Sequence, residues 1–408
     1  MNRISSQPRY DTILITLMIV LMIFGVVMIY SASTTIIGNQ VERQNYYIKQ
    51  IIWVLCSLFA LLVLLQIPIA FIEALILPIY IINIALLILV LFLPAIKGSH
   101  RWISLGFAGF QPSELAKLIT ILLLAKLLNE SHQSNLQILR RAVSVLILPM
   151  LLILIEPDMG TAMTLFICVF AVLAFSDLSF WAIVIIISPL ISIILSLNAY
   201  IFIFWIILLI AYFVRQRMSI LLTGLTVLFN STLYFLVPIV WNNLKNYQQN
   251  RIITFINPLH DPFGAGYQII QAKIAIGSGG WWGKGFLMGS QKNLQFLPEH
   301  HTDFIFSVIG EELGFFSCLI FLIIYFLFLY RLTMNAGKMK RKFMFYASVG
   351  IIANLTIMMF VNVGMNLGIV PATGIPLPFI AYGGSNLLFN TLAAGLVMKF
   401  AAQKSLLE

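Results

Sequence analysis

Charged residues are scarce in this chain: Asp, Glu, Lys and Arg make up only 9% of its 408 residues. A soluble globular domain carries roughly 25%. No soluble fold of this size could bury the 61% of residues that are hydrophobic here. The scarcity of charge therefore predicts an all-α fold, a polytopic bundle of transmembrane helices.

Cysteine is also rare, and its three residues, Cys56, Cys168 and Cys318, all lie inside apolar runs. This placement excludes a disulfide framework and predicts three small core residues. No G-x-x-x-x-G-K-[ST] motif is present, so work driven by ATP is not expected. The net charge of +10 is attributed to cytoplasmic anchors, so no nucleic-acid partner is predicted.

Twelve apolar segments are candidates for membrane spans. A spanning helix needs about 20 residues, so the short segments 142–156 and 199–214 are the least secure. The twelve segments are 11–32, 47–67, 70–94, 111–128, 142–156, 159–176, 179–197, 199–214, 218–240, 303–330, 343–366 and 384–401.

The distribution of basic residues predicts the orientation of these spans. With both termini in the cytoplasm, the Lys and Arg residues between spans fall mainly on the cytoplasmic side. The polar segment 241–302 then lies outside the membrane as a large structured loop. Ten spans fit the same pattern if 179–240 holds one helix pair fewer. Residues 1–408 are predicted to form a single membrane domain.

The segment RWISLGFAGFQPSELAKL contains the first group of candidate site residues. Pro112 suits the first turn of a helix, and Glu114 and Lys117, three residues apart, share one helix face. They form either a structural ion pair or part of a functional cavity. Arg101 and Trp102 precede this helix, where Trp102 also fits an interfacial anchor.

Glu156, Pro157 and Asp158 interrupt an apolar stretch in LIEPDMGTAM, which predicts a polar break between two helices. Asp158 suits a helix N-cap. That role is compatible with shaping a cavity, so both interpretations stay open.

The outer loop has more basic than acidic residues, and Lys273 and Lys284 are its candidate substrate ligands. A basic surface suits a substrate that carries phosphate. Asp261, between His260 and Pro262, would stay ionised there, as a general base must. An Asp-Pro turn is the simpler interpretation from composition alone.

The run LPEHHTDFIFSVIGEELG supplies Glu299, His301 and Asp303, but its spacing is not that of a zinc site. Capping and cavity roles are predicted instead, and no metal site. Glu311 and Glu312 fall inside the next apolar helix, so at least one must be paired, neutral or facing a polar cavity. In GIVPATGIPLPFIAYGGSN, Ser385 is a further candidate substrate contact beside a rigid turn.

Together these segments, with NPLHDPFGAGYQ, resemble the SEDS family (shape, elongation, division and sporulation) of membrane peptidoglycan glycosyltransferases. The resemblance runs from about residue 10 to residue 400. IIQAKIAIGSGGWWGKG and GIPLPF are more similar to its elongation-type (RodA-like) members than to its division-type (FtsW-like) members. The family usually has ten spans, so the region 179–240 is longer than the resemblance implies.

The resemblance implies an enzyme of the bacterial inner membrane that polymerises lipid II into inverted, β-1,4-linked glycan strands during elongation. It implies Asp261 as the catalytic carboxylate, and Trp102, Glu114 and Lys117 as matched motif residues. It also implies a class B penicillin-binding protein as partner, beside other elongation-complex membrane proteins. No cofactor is predicted with certainty, although a divalent cation, Mg²⁺ or Mn²⁺, would suit the leaving pyrophosphate. A flippase of the lipid-linked precursor, a division-type member and an activating scaffold are the alternatives.

Overall fold

The described part of the chain is almost entirely helical. The structure is a computed structural model. It describes residues 10–37, 40–94, 100–104, 106, 109–130, 133–244, 249–250, 253–255, 257, 260–261, 264, 266–294 and 300–404. The prediction of a polytopic helical protein is confirmed.

Twelve helices of sixteen residues or more lie in the described ranges, and each coincides with one predicted segment. They are α1 (Thr12–Ala32), α2 (Tyr46–Gln66), α3 (Ile69–Phe92), α4 (Pro112–Leu127), α5 (Asn135–Ile155), α6 (Met159–Ala174), α7 (Phe180–Leu195), α8 (Ala199–Arg215), α9 (Ile220–Asn243), α12 (Ile305–Ala336), α13 (Lys342–Leu367) and α14 (Gly384–Lys404). Among the described residues of the outer loop, α10 (Tyr267–Gly279) and α11 (Ser290–Asn293) are shorter helices with defined bounds.

Seven of these helices are long and apolar enough to cross a membrane: α1, α2, α3, α5, α9, α12 and α13. Helices α6, α7 and α8 are apolar but shorter. A helix of 16 residues is about 24 Å long, which is less than the roughly 30 Å of a hydrocarbon core.

Capping residues set several helix ends. Helix α5 begins at Asn135, seven residues before its predicted start, because Ser134 and Gln137 form a capping box that satisfies free backbone N–H groups of the first turn. The prediction of a short segment was therefore wrong. Asp158 caps α6 through Thr161 N, and Pro112 occupies the first turn of α4.

Two small antiparallel hairpins lie between helices. β1 (Thr34–Ile37) pairs with β2 (Gln40–Arg43), Thr34 opposite Arg43. β3 (Ile103–Ser104) pairs with β4 (Gly109–Phe110), Ile103 opposite Phe110. The second hairpin leads directly into α4 and so positions the candidate residues on either side of it.

Helix α4 lies at the centre of the bundle, with thirteen of its sixteen residues buried. It packs against α3, α5, α6, α13 and α14, while α12 packs against α1, α10 and α13. A helix surrounded on all sides needs no polar face, which explains why polar residues on α4 stand out.

The region predicted to hold an extra helix pair contains α7, α8 and α9, which pack on one another. Their contact is centred on Asn230, whose amide nitrogen donates to Ser188 Oγ (3.1 Å) and whose oxygen accepts from Ser192 Oγ (2.6 Å). Trp205 Nε1 also donates to Ser192 Oγ (2.9 Å). Neutral polar groups on different helices thus satisfy one another away from water.

The cysteine prediction was right for two residues and wrong for one. Cys168 and Cys318 are buried, whereas Cys56 is exposed on α2. Only three residues of α2 are buried, Gln50, Ser57 and Leu61. An apolar sequence in a membrane helix does not distinguish a protein-facing position from a lipid-facing one, because both environments favour the same side chains.

Candidate active site

Lys117 and Glu114 form a buried ion pair on α4. Lys117 Nζ lies 2.9 Å from Glu114 Oε1, and each side chain is only 4% exposed. Asn386 Nδ2 donates to the other carboxylate oxygen at 3.2 Å. A buried charge is tolerated only when paired and hydrogen-bonded, so the pair fixes α4 against the start of α14.

A small cavity of about 10 Å³ adjoins this ion pair. Asn354 and Asn390 line it and hydrogen-bond to each other at 3.2 Å, while Asn390 Nδ2 has no acceptor among the described residues. Roughly 10–15 Å³ is the least that holds one water molecule. The cavity therefore has room for about one water molecule beside Lys117.

The loop before α4 is tied to the break between α5 and α6. Arg101 Nε donates to the carbonyl of Glu156 at 3.1 Å, and an Arg101 terminal nitrogen donates to that of Pro157 at 2.5 Å. The guanidinium also lies 3.9 Å from Asp158, which accepts a hydrogen bond from Gln111 Nε2. Arg101 and Asp158, far apart in sequence, thus belong to one network.

Ser385 joins the same loop to the start of α14. Its hydroxyl donates to Gly109 O at 3.0 Å and accepts from Gln111 N at 3.2 Å. Trp102 covers Gly109 from the other side, since a Cβ there would lie 3.1 Å from the indole ring. Both hydrogen bonds of Ser385 therefore go to the loop backbone, and its predicted substrate contact stays a prediction.

Glu156, in the break between α5 and α6, is fully buried, and neither carboxylate oxygen has a partner among the described residues. Burial, with the nearby charge of Asp158, raises its pKa from 4.5 to about 8, against the opposing effect of Arg101. A buried carboxyl without donors is more stable when protonated. At neutral pH this side chain is therefore mainly a neutral acid.

Asp261 lies at the approach to α10. Its Oδ1 accepts from Gly264 N at 2.9 Å, and its carbonyl accepts from Gly266 N at 3.0 Å. A Cβ on Gly264 would come within 2.2 Å of the carboxylate, so any larger residue there would displace the Asp261 side chain from its present position. The hydrogen bond from Gly264 N to the Asp261 carbonyl (3.4 Å) agrees with a turn that starts at Asp261.

Lys273 is exposed on α10 and lies against the turn that ends α13. A Cβ on Gly368 would lie 2.2 Å from Lys273 Cε. Gly368 has φ +70°, and it ends α13 in the left-handed conformation that favours glycine. The close approach holds the Lys273 ammonium near the C-terminal end of α13.

The outer loop is inserted into a break in α12 at Gly314, where φ is +76° and ψ is −175°. We call this arrangement the clasp: Lys284 N and Gly285 N donate to the carbonyls of Glu311 and Glu312, and Phe315 N and Phe316 N donate to those of Gly280 and Trp281 (2.9–3.3 Å). In an unbroken helix Phe315 N and Phe316 N would bond to Glu311 and Glu312 themselves. The loop therefore satisfies the backbone groups that the break releases.

The carboxylate of Glu311 reinforces the clasp from inside. Its Oε1 lies 2.6 Å from Lys284 Nζ and accepts from the Ser290 hydroxyl (2.8 Å) and Ser290 N (2.9 Å). It thereby caps the short helix α11. Lys284 is committed to this carboxylate, so its predicted role as a substrate ligand stays a prediction.

Glu312 faces the opposite way, toward α1. Its Oε1 lies 2.5 Å from Lys292 Nζ, and both side chains are completely buried. Ser31 Oγ donates to Glu312 Oε2 and accepts from Lys292 Nζ. Burial lowers the pKa of Lys292, and the Glu312 carboxylate opposes this. Sequence reasoning missed Lys292, which appeared to be one more surface cation of a basic loop.

His301 and Asp303 lie where the outer loop enters α12. The His301 ring stacks on Tyr46 at 4.2 Å, and its carbonyl accepts from Tyr382 N. The carbonyl of Asp303 accepts from the amides of Asn362 (2.9 Å) and Asn366 (3.1 Å). The predicted cavity and capping roles of His301 and Asp303 stay predictions, and Glu299 lies outside the described residues.

The structure thus groups most of the candidates into three sets. The first joins Arg101, Trp102, Glu114, Lys117, Asp158 and Ser385; the second joins Lys284, Glu311 and Glu312; the third joins His301 and Asp303. Asp261 and Lys273 belong to the separate α10 segment. Within the described ranges, no three His, Cys, Asp or Glu residues are grouped closely enough to hold a metal ion.

Comparison with known families gives a match over nearly the whole chain. The FtsW/RodA/SpoVE family of cell cycle proteins matches residues 11–204 and 196–406. The peptidoglycan glycosyltransferase MrdB of Escherichia coli K12 is 34% identical over 405 residues, covering 98% of this chain and 96% of MrdB. A probable peptidoglycan glycosyltransferase FtsW of Buchnera aphidicola is also 34% identical, with 96% and 88% coverage.

Solved structures are similar over the same length. A chain of a peptidoglycan synthase complex, described as coordinating polymerization and crosslinking, superposes with a TM-score of 0.72 at 29% identity, covering 97% of this chain and 98% of that chain. The rod shape determining protein RodA of Thermus thermophilus superposes with a TM-score of 0.63 at 23% identity, with 97% of each chain covered. The latter similarity supports the fold alone.

Proposed function

Because the chain belongs to the FtsW/RodA/SpoVE family of cell cycle proteins, we propose that it is a peptidoglycan glycosyltransferase that polymerises lipid II. The observation that carries this proposal is the 34% identity to MrdB over 98% of the chain. The charged groups buried in an otherwise apolar bundle, Glu114, Lys117, Glu311 and Glu312, agree with it, because ionisable residues inside membrane proteins are costly and usually functional.

In the proposed reaction, a sugar hydroxyl of the acceptor attacks the anomeric carbon of the donor. Asp261 accepts the hydroxyl proton as the new glycosidic bond forms. The bond from that carbon to the lipid pyrophosphate breaks, and the pyrophosphate leaves with the electron pair. Attack opposite the leaving group inverts the centre and gives a β-1,4 linkage.

Cations are needed to stabilise the leaving pyrophosphate. Arg101, whose side chain is 28% exposed, and the exposed Lys273 are the accessible candidates. Lys117 is enclosed with Glu114, so we assign Glu114 to holding Lys117 in position inside the bundle. A divalent cation could share the charge of the pyrophosphate as a Lewis acid.

We further propose that the protein acts in cell elongation, in the inner membrane, with cytoplasmic termini and the catalytic loop outside. The similarity to a synthase complex that couples polymerization and crosslinking supports a class B penicillin-binding protein as partner. An FtsW relative of equal identity keeps division as the second candidate. Depletion should cause loss of rod shape under the first assignment and blocked septation under the second.

The test is polymerisation of lipid II by the purified protein in liposomes, with the transpeptidase partner present and moenomycin added to silence unrelated polymerases. Asp261→Asn is the informative variant, because an amide oxygen can still accept from Gly264 N but cannot act as the base. We expect product from wild type and only background from Asp261→Asn.

Asp177→Asn is the matched control, since it removes an exposed carboxylate at the start of the α6–α7 turn, and its activity should equal that of wild type. Full activity in Asp261→Asn would refute the assignment of the base. If neither wild type nor variant made polymer while lipid II crossed the bilayer, the protein would be a flippase instead.

A further inference from the structure

The turn between α10 and α11 presents a group of large apolar side chains on its outer surface. Trp282 is 80% exposed, Met288 67% and Trp281 63%. We call residues 280–288 the tryptophan turn. A water-facing loop rarely exposes three such side chains side by side, and apolar patches of this kind mark interaction sites.

The clasp determines where the tryptophan turn lies relative to the membrane. It attaches the turn to α12 at Gly314, nine residues after the helix begins at Ile305. At 1.5 Å per residue, this is about 14 Å along the helix axis. The turn is therefore held beside the upper part of a membrane helix rather than above its end.

The tryptophan rings extend an apolar surface that α12 already presents to its surroundings. Trp281 lies 5.3 Å from Phe315, and Trp282 lies 5.0 Å from Phe316, between ring centres. Exposed Ile320 and Ile323 follow Phe316 at spacings of four and three residues, which places them on one face of the helix. The patch is thus continuous with the lipid-facing side of α12.

The polar groups of the turn are distributed as a membrane interface requires. The Lys284 side chain is turned inward onto Glu311, and the amides of Gly283 and Gly285 are bonded within the protein. The two indole rings, 63% and 80% exposed, can present their N–H groups to surrounding headgroups. Tryptophan with an apolar body and a free N–H prefers the headgroup region of a bilayer.

We propose that the tryptophan turn is a membrane anchor, which inserts Trp281 and Trp282 into the outer leaflet at the boundary between headgroups and acyl chains. The bilayer is favoured over a partner protein because the patch continues without interruption into the lipid-facing stripe of α12. The anchor fixes the height of the outer loop above the membrane, and the proposal does not depend on the reaction that the loop performs.

Spin-label accessibility in liposomes tests this proposal directly. A nitroxide is attached to Trp282→Cys in a background with Cys56→Ser, Cys168→Ala and Cys318→Ala. Thermal melting of this cysteine-free background checks first whether it folds. Ile320→Cys serves as the lipid-facing control, and Lys340→Cys, in the exposed cytoplasmic turn, as the aqueous control. Collision with oxygen reports lipid, and collision with a water-soluble nickel chelate reports water.

The expected result at position 282 is high oxygen and low nickel accessibility, close to that at 320 and clearly shifted from that at 340. High nickel accessibility would show a water-exposed turn and overturn the proposal. Low accessibility to both reagents would show that protein covers the patch, which also overturns it.

If the cysteine-free background does not fold, quenching of native fluorescence by brominated lipids replaces the spin label. Wild type is compared with Trp281→Phe/Trp282→Phe, and the fluorescence contributed by the two tryptophans is the difference between them. A strong loss of that fluorescence with bromine near the headgroup supports the anchor. A difference that brominated lipids leave unchanged contradicts it.

Discussion

Helix α4 and the three-helix unit α7–α9 were all predicted from apolar segments, but their surroundings are opposite. Thirteen of the sixteen residues of α4 are buried, whereas only two of the twenty-four residues of α9 are, Thr226 and Asn230. Helix α4 is surrounded by protein, and α9 contacts little beyond α7 and α8. Burial does not follow hydropathy here, since the buried helix α4 contains Glu114, Lys117 and Lys126 whereas α9 contains no charged residue. Lipid and protein interior are both apolar solvents, so an apolar sequence suits either.

The polar groups buried in the two regions differ in charge. The central bundle buries the ion pair Lys117–Glu114, and the contact between α11 and α12 buries Lys292–Glu312. The α7–α9 unit buries neutral polar side chains, among them Ser188, Ser192 and Asn230. Neutral hydrogen bonds suffice to associate helices. Buried charges cost more and are retained where they position or perform chemistry. We therefore expect function in the first region and helix association in the second.

The largest expected effect comes from removing one charge of the buried Lys292–Glu312 ion pair. Lys292→Met leaves Glu312 buried without its cation and should destabilise the protein by about 3–5 kcal/mol. Thermal melting in detergent measures the loss. The double variant Lys292→Met/Glu312→Gln should recover much of it, because no charge is left uncompensated. Equal melting of the single and double variants would contradict an essential ion pair.

The next effect concerns pH and the buried carboxyl of Glu156. Its pKa of about 8 in the folded protein lies above its ordinary value of 4.5, so folding favours the protonated form. This contribution to stability is fully present below pH 4.5 and is lost as pH rises to about 8, by at most about 1.4 kcal/mol per pH unit.

Melting temperatures of wild type and Glu156→Gln, measured from pH 5 to pH 8, isolate this contribution. The wild type should lose stability relative to Glu156→Gln as pH rises, because the amide does not titrate. Parallel curves for the two proteins would show that Glu156 is ionised throughout.

The smallest expected effect concerns the neutral hydrogen bonds between α7, α8 and α9. Asn230→Leu removes the hydrogen bonds of Asn230 to Ser188 and Ser192. It should lower the free energy of unfolding by about 0.6 kcal/mol, a typical value for a hydrogen bond between membrane helices. Polymerisation of lipid II should stay at the wild-type rate. A large loss of activity with unchanged melting would mean that α7–α9 takes part in the reaction.

Much of the architecture could be predicted from the sequence. Every long described helix coincides with a predicted apolar segment, because length and hydropathy are local properties. The local ion pair Lys117–Glu114 was predicted as one of two alternatives for the same reason: its members are three residues apart on one helix. The error at the start of α5 was also local, since the Ser134 capping box lay outside the apolar run.

The clasp could not be predicted in this way. It needs Gly283 and Gly314, which are some thirty residues apart in sequence, to lie side by side. A Cβ on either glycine would come within 2.3 Å of a backbone atom of the facing segment. Nothing local distinguishes Lys292, which is buried on Glu312, from Lys273, which is exposed on α10. Their neighbours come from distant segments, and these neighbours decide whether a cation is free.

The membrane class, the positions of the helices and the family resemblance could all be inferred from the amino-acid sequence. These conclusions depend on composition and on motifs within single segments. The folded structure was needed to show which charges are paired, which helix faces are exposed and how the outer loop is attached to α12. In a bilayer, apolar side chains suit both surroundings, so burial follows from the packing of distant helices rather than from hydropathy.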